Sequence, residues 1–178
     1  MRKRYHNDRI NVIEVFISQL YCLLFNILGN ANNEEGLDMF KNILVPFDFG
    51  NSFKNVPEQL VKLTGENSAY KIVIFNVISE TELANYVRYQ GKHFEEVVEE
   101  KKDEMKPFLK SLDDANLKYD VKFTTGAATK EIVNEVENAD YDVVVMSNKR
   151  SEIDIKHVLG HVTHKIAKRV NIPVLIIK

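Results

Sequence analysis

Asp142–His161 reads DVVVMSNKRSEIDIKHVLGH, and its opening residues decide what kind of sheet this chain builds. Three valines run between Asp142 and Met146 with no polar alternation, so a strand there is covered on both faces. Strands of that kind belong to parallel sheets, whose crossover helices lie above and below. A polar, basic loop follows with Lys149 and Arg150, and then a helical pattern across His157–Val170. A strand handing over to a helix is where many α/β proteins hold a phosphate. This loop has the length and charge for that task but a single glycine, Gly160.

The same strand signature recurs outward in both directions. Ile43–Phe47 (ILVPF), Lys71–Ile78 (KIVIFNVI) and Val174–Ile177 (VLII) are short, apolar and rich in β-branched residues. Lys118–Thr124 instead alternates, with Tyr119, Val121 and Phe123 on one side, as a strand buried on one face does. Between them lie four helical segments. Ser52–Leu63 follows a Gly-Asn-Ser cluster, and Phe94–Leu112 sets Phe94, Val97, Val98, Met105, Phe108, Leu109 and Leu112 on one face. Pro107 predicts a kink or restart in that helix. Thr129–Val136 has Thr129 as its expected N-cap and Ile132, Val133 and Val136 as its buried stripe. Asn171-Ile172-Pro173 turns the last helix into the final strand. Five strands joined by four helical crossovers give an α/β domain of three layers, an open parallel sheet with helices on both faces.

Composition sets the outer limits. A chain of 178 residues, 44% hydrophobic and 28% charged, has room for one domain with a full core. A formal net charge of −2 implies no broad attraction to nucleic acid. Cys22 is the one cysteine, which excludes an internal disulfide and a cysteine-based zinc site. A reducing cytoplasm is the natural setting.

Residues 1–38 read differently from the rest. A basic head (Arg2, Lys3, Arg4, Arg9), an apolar run over Ile10–Leu28 and the small pair Gly29 and Ala31 together mimic a secretory signal. Glu14, Gln19 and Asn26 interrupt the run, making it marginal as a membrane span but suited to an amphipathic helix lying on a membrane. A competing expectation is that translation starts at Met39. Glu34-Glu35-Gly36 can be encoded by a purine-rich ribosome-binding core shortly upstream of that methionine. The domains expected are therefore an N-terminal extension, 1–38, and an α/β domain, 39–178, that contains all five strands.

Three stretches of the second domain carry a resemblance. Met39-Phe-Lys-Asn-Ile-Leu-Val-Pro-Phe-Asp48 resembles the "KILVPVDGS" opening of the universal stress protein family. Gly126-Ala-Ala-Thr-Lys-Glu-Ile132, followed by Ala139-Asp-Tyr-Asp-Val-Val-Val-Met146, resembles its "G-x-P-x-x-x-I … A-D-L-I-V-M-G". Ile172-Pro-Val-Leu-Ile-Ile177 is similar to its "C-P-V-L-V-V" ending. The three stand in the family's order and spacing across nearly all of Met39–Lys178.

The resemblance implies a Rossmann-like sheet in the order 3-2-1-4-5, a homodimer, and in many members an ATP or AMP at the carboxyl ends of the strands. It maps the site onto Pro46, Phe47, Asp48, Val77, Met146, Ser147, Lys149, Arg150, Gly160, His161 and Val162. Nucleotide-binding members carry G-x2-G-x9-G-[S/T] after the fourth strand. The positions here read Ser147, Arg150, Gly160 and His161, so Gly160 alone survives. The glycines let backbone approach phosphate, and the loop here is a degenerate version of that device.

No nucleophile elbow and no Walker-type phosphate loop occur. His157, His161 and His164 share a helix face at spacings that suit metal, yet no carboxylate or cysteine stands with them, and they read as surface histidines. The stretch Glu95, Glu96, Glu99, Glu100, Lys101, Lys102 reads as a solvated helix face.

The expected protein is a cytoplasmic, non-enzymatic stress-response protein. It needs no cofactor, acts through unidentified protein partners, and dimerises through its terminal strand Val174–Lys178. The alternatives are an ATP- or AMP-binding switch on the same fold, and a form tethered to a membrane by residues 1–38.

Overall fold

The computed structural model describes residues 40–65, 69–147 and 160–177, all of which fall in the unit Asp38–Lys178. The expectations placed on residues 1–38, and on Lys149, Arg150, His157 and Lys178, lie outside the described residues. The strands are β1 (Asn42–Pro46), β2 (Lys71–Ile78), β3 (Tyr119–Thr125), β4 (Val143–Ser147) and β5 (Val174–Ile177). The helices among the described residues are α1 (Val56–Thr64), α2 (Glu80–Gln90), α3 (Phe94–Asp114), α4 (Ala128–Asn138) and α5 (His161–Arg169).

All strand pairs are parallel and the sheet runs β3-β2-β1-β4-β5, the order the resemblance implies. Side chains alternate between two cores because a strand repeats every second residue. Ile43, Val45 and Phe47 point to the core built with Val56 and Leu60 of α1 and Met105, Phe108 and Leu112 of α3. Leu44, Val144 and Met146 point to the opposite core, with Ile132 of α4 and Ile166 of α5. The valines of β4 are buried throughout, and β3 shows only partial burial at Tyr119, Val121 and Phe123. That contrast is what separates an interior strand from an edge strand.

Three local expectations are corrected. Helix α1 begins at Val56 rather than Ser52. A turn closed by the Val56 N–H donating to the Phe53 carbonyl at 3.1 Å first drops the Phe53 ring into the core. Helix α3 continues through Pro107 without a restart. Pro107 and Asp103, whose carbonyl loses its helical donor, both lie on the exposed side, so the freed acceptor is not buried. The N-cap of α4 is Ala127, and Thr129 is already inside the helix.

Helix α2 was not expected at all. It has no buried residue, so it offers no apolar stripe, but both ends are well made. The Ser79 hydroxyl accepts the Glu82 N–H at 3.1 Å. Gly91, at φ 65°, closes the other end by donating to the Tyr86 and Val87 carbonyls.

One charge is misread by the sequence. Lys101 is 8% exposed and lies on the apolar face of α3 between Val97 and Met105, not on a solvated face. The spacing 97–101–105 is a repeat of four, which stacks side chains on one face.

Candidate functional site

In a parallel sheet every strand ends at the same edge, and here the order reverses between β1 and β4. A crevice at that point is where open α/β sheets take ligands. The chain leaves β1 through Pro46 and Phe47 into Asp48, and leaves β4 at Ser147. It re-enters described structure at Gly160, the N-cap of α5.

Asp48 is exposed and organises the turn that follows it. Its Oδ1 accepts the N–H groups of Gly50 at 2.8 Å and Asn51 at 2.7 Å, and its Oδ2 accepts from the Asn51 amide. An Asp that folds its own backbone in this way makes an Asx-type turn. A Cβ on Gly50 would lie 3.4 Å from Asp48 Oδ1, so the glycine suits this close turn. Behind it, the buried Asn76 side chain of β2 donates to the Phe47 carbonyl at 2.9 Å, and the Phe47 N–H donates to the Phe75 carbonyl at 2.8 Å. The turn therefore starts from backbone that is anchored to β2.

The predicted site residues divide by face. Met146 lies in the core shared with α4 and α5, and Val77 and Val162 pack partly buried against it. Pro46 is buried at the end of β1. Phe47 turns its ring into the other core, 5.0 Å from Phe108 and 4.4 Å from Phe53, so it presents backbone rather than ring at the crevice. Ser147 is buried and its hydroxyl donates to the Ser52 carbonyl, tying the end of β4 to the β1–α1 loop.

The N-cap of α5 is Gly160, which has no side chain to cap with, and no acidic residue occupies the first turn. A helix start of this kind suits an anion, with the helix dipole behind it. Gly160 has an ordinary negative φ of −59°. Among the described residues the nearest atom a Cβ there would meet is Thr163 Oγ1 at 3.9 Å. The chain's own backbone does not demand a glycine there; it leaves close approach open. His161 and His164 are exposed, and no group of three or more His, Cys, Asp or Glu among the described residues is placed to hold a metal.

Sequence reasoning missed Phe49, Asn76 and Lys101. Phe49 leaves the turn 39% exposed, edge-on to Phe47 at 5.1 Å, with the Lys101 ammonium 4.6 Å from its ring centre. Asn76 was legible as the one polar residue within KIVIFNVI; a buried amide needs a partner.

Known proteins resemble this chain over about four-fifths of its length. Universal stress protein MJ0577 of Methanocaldococcus jannaschii is 26% identical over 157 residues, covering 79% of this chain and 96% of that one. Its solved structure superimposes with a TM-score of 0.61 at 28% identity, over 79% of this chain and 96% of that one. An Arabidopsis thaliana universal stress protein family protein with AMP bound has a TM-score of 0.52 at 19% identity, covering 78% and 91% of the two chains. An Archaeoglobus fulgidus universal stress protein in complex with dAMP gives 0.50 at 13% identity, over 79% and 99%. The profile of the universal stress protein family matches residues 39–178, the stretch that holds the whole sheet and the crevice at its reversal, and the chain belongs to that family.

Proposed function

We propose that this protein is a non-enzymatic, cytoplasmic stress-response protein whose crevice takes an adenine nucleoside monophosphate in preference to ATP, and which acts through protein partners. The Ser147 hydroxyl donating to the Ser52 carbonyl carries this reading. It draws the end of β4 against the β1–α1 loop, where nucleotide-binding relatives keep a glycine and an open backbone. With Arg150 at the second glycine position, a polyphosphate loses the backbone cradle that would follow its length. The start of α5 at Gly160 remains, and one helix start suits one phosphate. Asp48 supplies an exposed carboxylate for a ribose, and the partly buried Val77 and Val162 supply apolar surface for a base. The AMP and dAMP held by the Arabidopsis and Archaeoglobus structures are of this ligand class.

Dimerisation through β5 is part of the proposal. β5 is the edge of the sheet, and Leu175 on it is 37% exposed; an apolar edge without charges invites pairing with another chain. Among the described residues no helix is long and apolar enough to cross a membrane.

Calorimetry with AMP and ATP at one salt concentration tests the ligand. AMP should bind at least as tightly as ATP, and ATP should remain unhydrolysed. Ser147→Gly should improve ATP relative to AMP. ATP binding about tenfold tighter than AMP would overturn the reading.

A further inference from the structure

A lysine on the apolar face of a helix calls for a reason, because burying an ammonium is costly unless it is paired. The Lys101 ammonium lies 2.9 Å from Glu82 of α2 and 3.5 Å from Glu104 of its own helix. It stands 4.6 Å from the centre of the Phe49 ring and 6.0 Å from that of Tyr86. Burial disfavours the charge, but the hydrogen bond and charge of Glu82, then Glu104 and Tyr86, more than offset it and hold the amine above the ordinary lysine range. One cation therefore touches three separate pieces of chain. These are α3, which carries it, α2, which follows Val77 at the end of β2, and the turn that follows Phe47 at the end of β1.

One of the two segments it joins, the turn after β1, opens onto the crevice; the other, α2, follows β2, the neighbour of β1 in the sheet. Phe49 sits next to Asp48, and the Asp48 carboxylate holds the Gly50 and Asn51 N–H groups. The turn has no secondary structure of its own, and Phe49 is its ring-bearing contact with the aromatic cluster of Phe47, Phe53 and Phe108. A cation over an aromatic face is attractive, and more so where water is largely excluded. We infer that Lys101 is a positioning residue for the crevice: by holding the Phe49 ring and Glu82 at once, it fixes the Asp48 turn and locks it to α2. Its bearing on ligand rests on the nucleotide reading above; the anchoring itself does not.

Removing the amine leaves no buried charge behind. Glu82 and Glu104 keep 39% and 51% of their side-chain surface in water, so both can hydrate once the lysine is gone. Lys101→Met, which keeps the apolar stem, should therefore stay folded, while Lys101→Arg keeps the cation and should restore the contacts in large part. Phe49→Leu removes the ring from the loop side without entering the core.

The experiment measures amide hydrogen exchange together with AMP affinity in the full chain. Lys101→Met and Phe49→Leu should each speed exchange at Gly50 and Asn51 by about tenfold, with the β1–β2 ladder unchanged. AMP affinity should fall in parallel, and Lys101→Arg should recover both. Unchanged exchange at Gly50 and Asn51 in Lys101→Met would overturn the inference whatever happens to AMP. Faster exchange in a protein whose wild type binds no AMP would support the anchoring and overturn the nucleotide reading instead.

Discussion

Gly126 shows how much a single position decides. It ends β3 with φ at 145°, a region open to glycine and closed in practice to other residues. Its N–H donates to the Ile78 carbonyl at 3.0 Å, so the chain turns into α4 while still pinned to the end of β2. A Cβ there would meet Glu131 Oε1 at 2.8 Å and Cγ at 2.9 Å. Gly126→Ala should therefore destabilise by about 1–3 kcal/mol, chiefly from backbone strain, read as a lower urea midpoint at unchanged slope. The sequence showed this glycine only as part of a family pattern, since the φ it adopts is not written in its neighbours. Asp142 is a similar case. Its carboxylate accepts the N–H groups of Lys41 and Asn42 at 2.8 and 2.7 Å, a hundred residues back along the chain, and no local pattern marks that role. Lys101 was legible in principle from its spacing with Val97 and Met105, but the charges around it pointed the other way.

Elements were read well where burial is one-sided or complete and poorly where it is absent. The runs of β2 and β5 match their observed bounds: β2 is apolar and buried along nearly its whole length, and β5 is a short apolar run that opens directly after Pro173. Helix α2 escaped because it is held by caps and by pairing with α3 rather than by a stripe. The joints between elements also carry two half-buried phenols with acidic partners. Tyr119 of β3 donates to Asp113 at the end of α3 at 2.9 Å, and burial followed by that partner pushes its phenol up to about 12. Tyr141, just before β4, donates to Glu135 of α4 at 2.9 Å, and is pushed up more strongly, by burial first and then Glu135. A phenol held neutral in the folded chain stabilises it below the unfolded value near 10, and that contribution is lost as pH rises through the folded value. Stability should accordingly decline from about pH 10 upward. Tyr119→Phe should flatten that decline while costing about 1 kcal/mol at neutral pH. Urea midpoints measured across the alkaline range check both; a decline that persists unchanged in Tyr119→Phe and Tyr141→Phe would refute the assignment.

For the whole molecule, the strand order followed from the sequence because parallel runs with helical connections admit few topologies, and the family resemblance selected one. The crevice was legible at its backbone positions and not in its side-chain directions: nothing in the sequence reveals that Phe47 turns away or that Ser147 bonds to Ser52. The same holds at the proposed dimer edge. Leu175 and Ile177 alternate onto one side of β5, yet Ile177 is 7% exposed and packs in the core while Leu175 is open. Leu175→Asp should shift the protein towards monomer in sedimentation with its helical signal intact. Ile177→Asp should unfold it, because a buried carboxylate there has no partner among the described residues of its cluster. A wild type that sediments as a monomer at high concentration would defeat the dimer proposal.

The seam between β1 and β4 joins Ile43 to Val143 and Leu44 to Val144, partners a hundred positions apart, while β1 pairs β2 and β2 pairs β3 over far shorter loops. Contacts that close long loops form late, since the ordering entropy comes before the contact that rewards it. A ribosome-bound chain can assemble β1, β2 and β3 with their helices before β4 has emerged. Asp48 lies on one side of the seam and Ser147 on the other, so the crevice exists only after the last long-range pairing has closed. Occupancy by the proposed nucleotide would then report completed folding, and a stalled or truncated chain would have no crevice to fill.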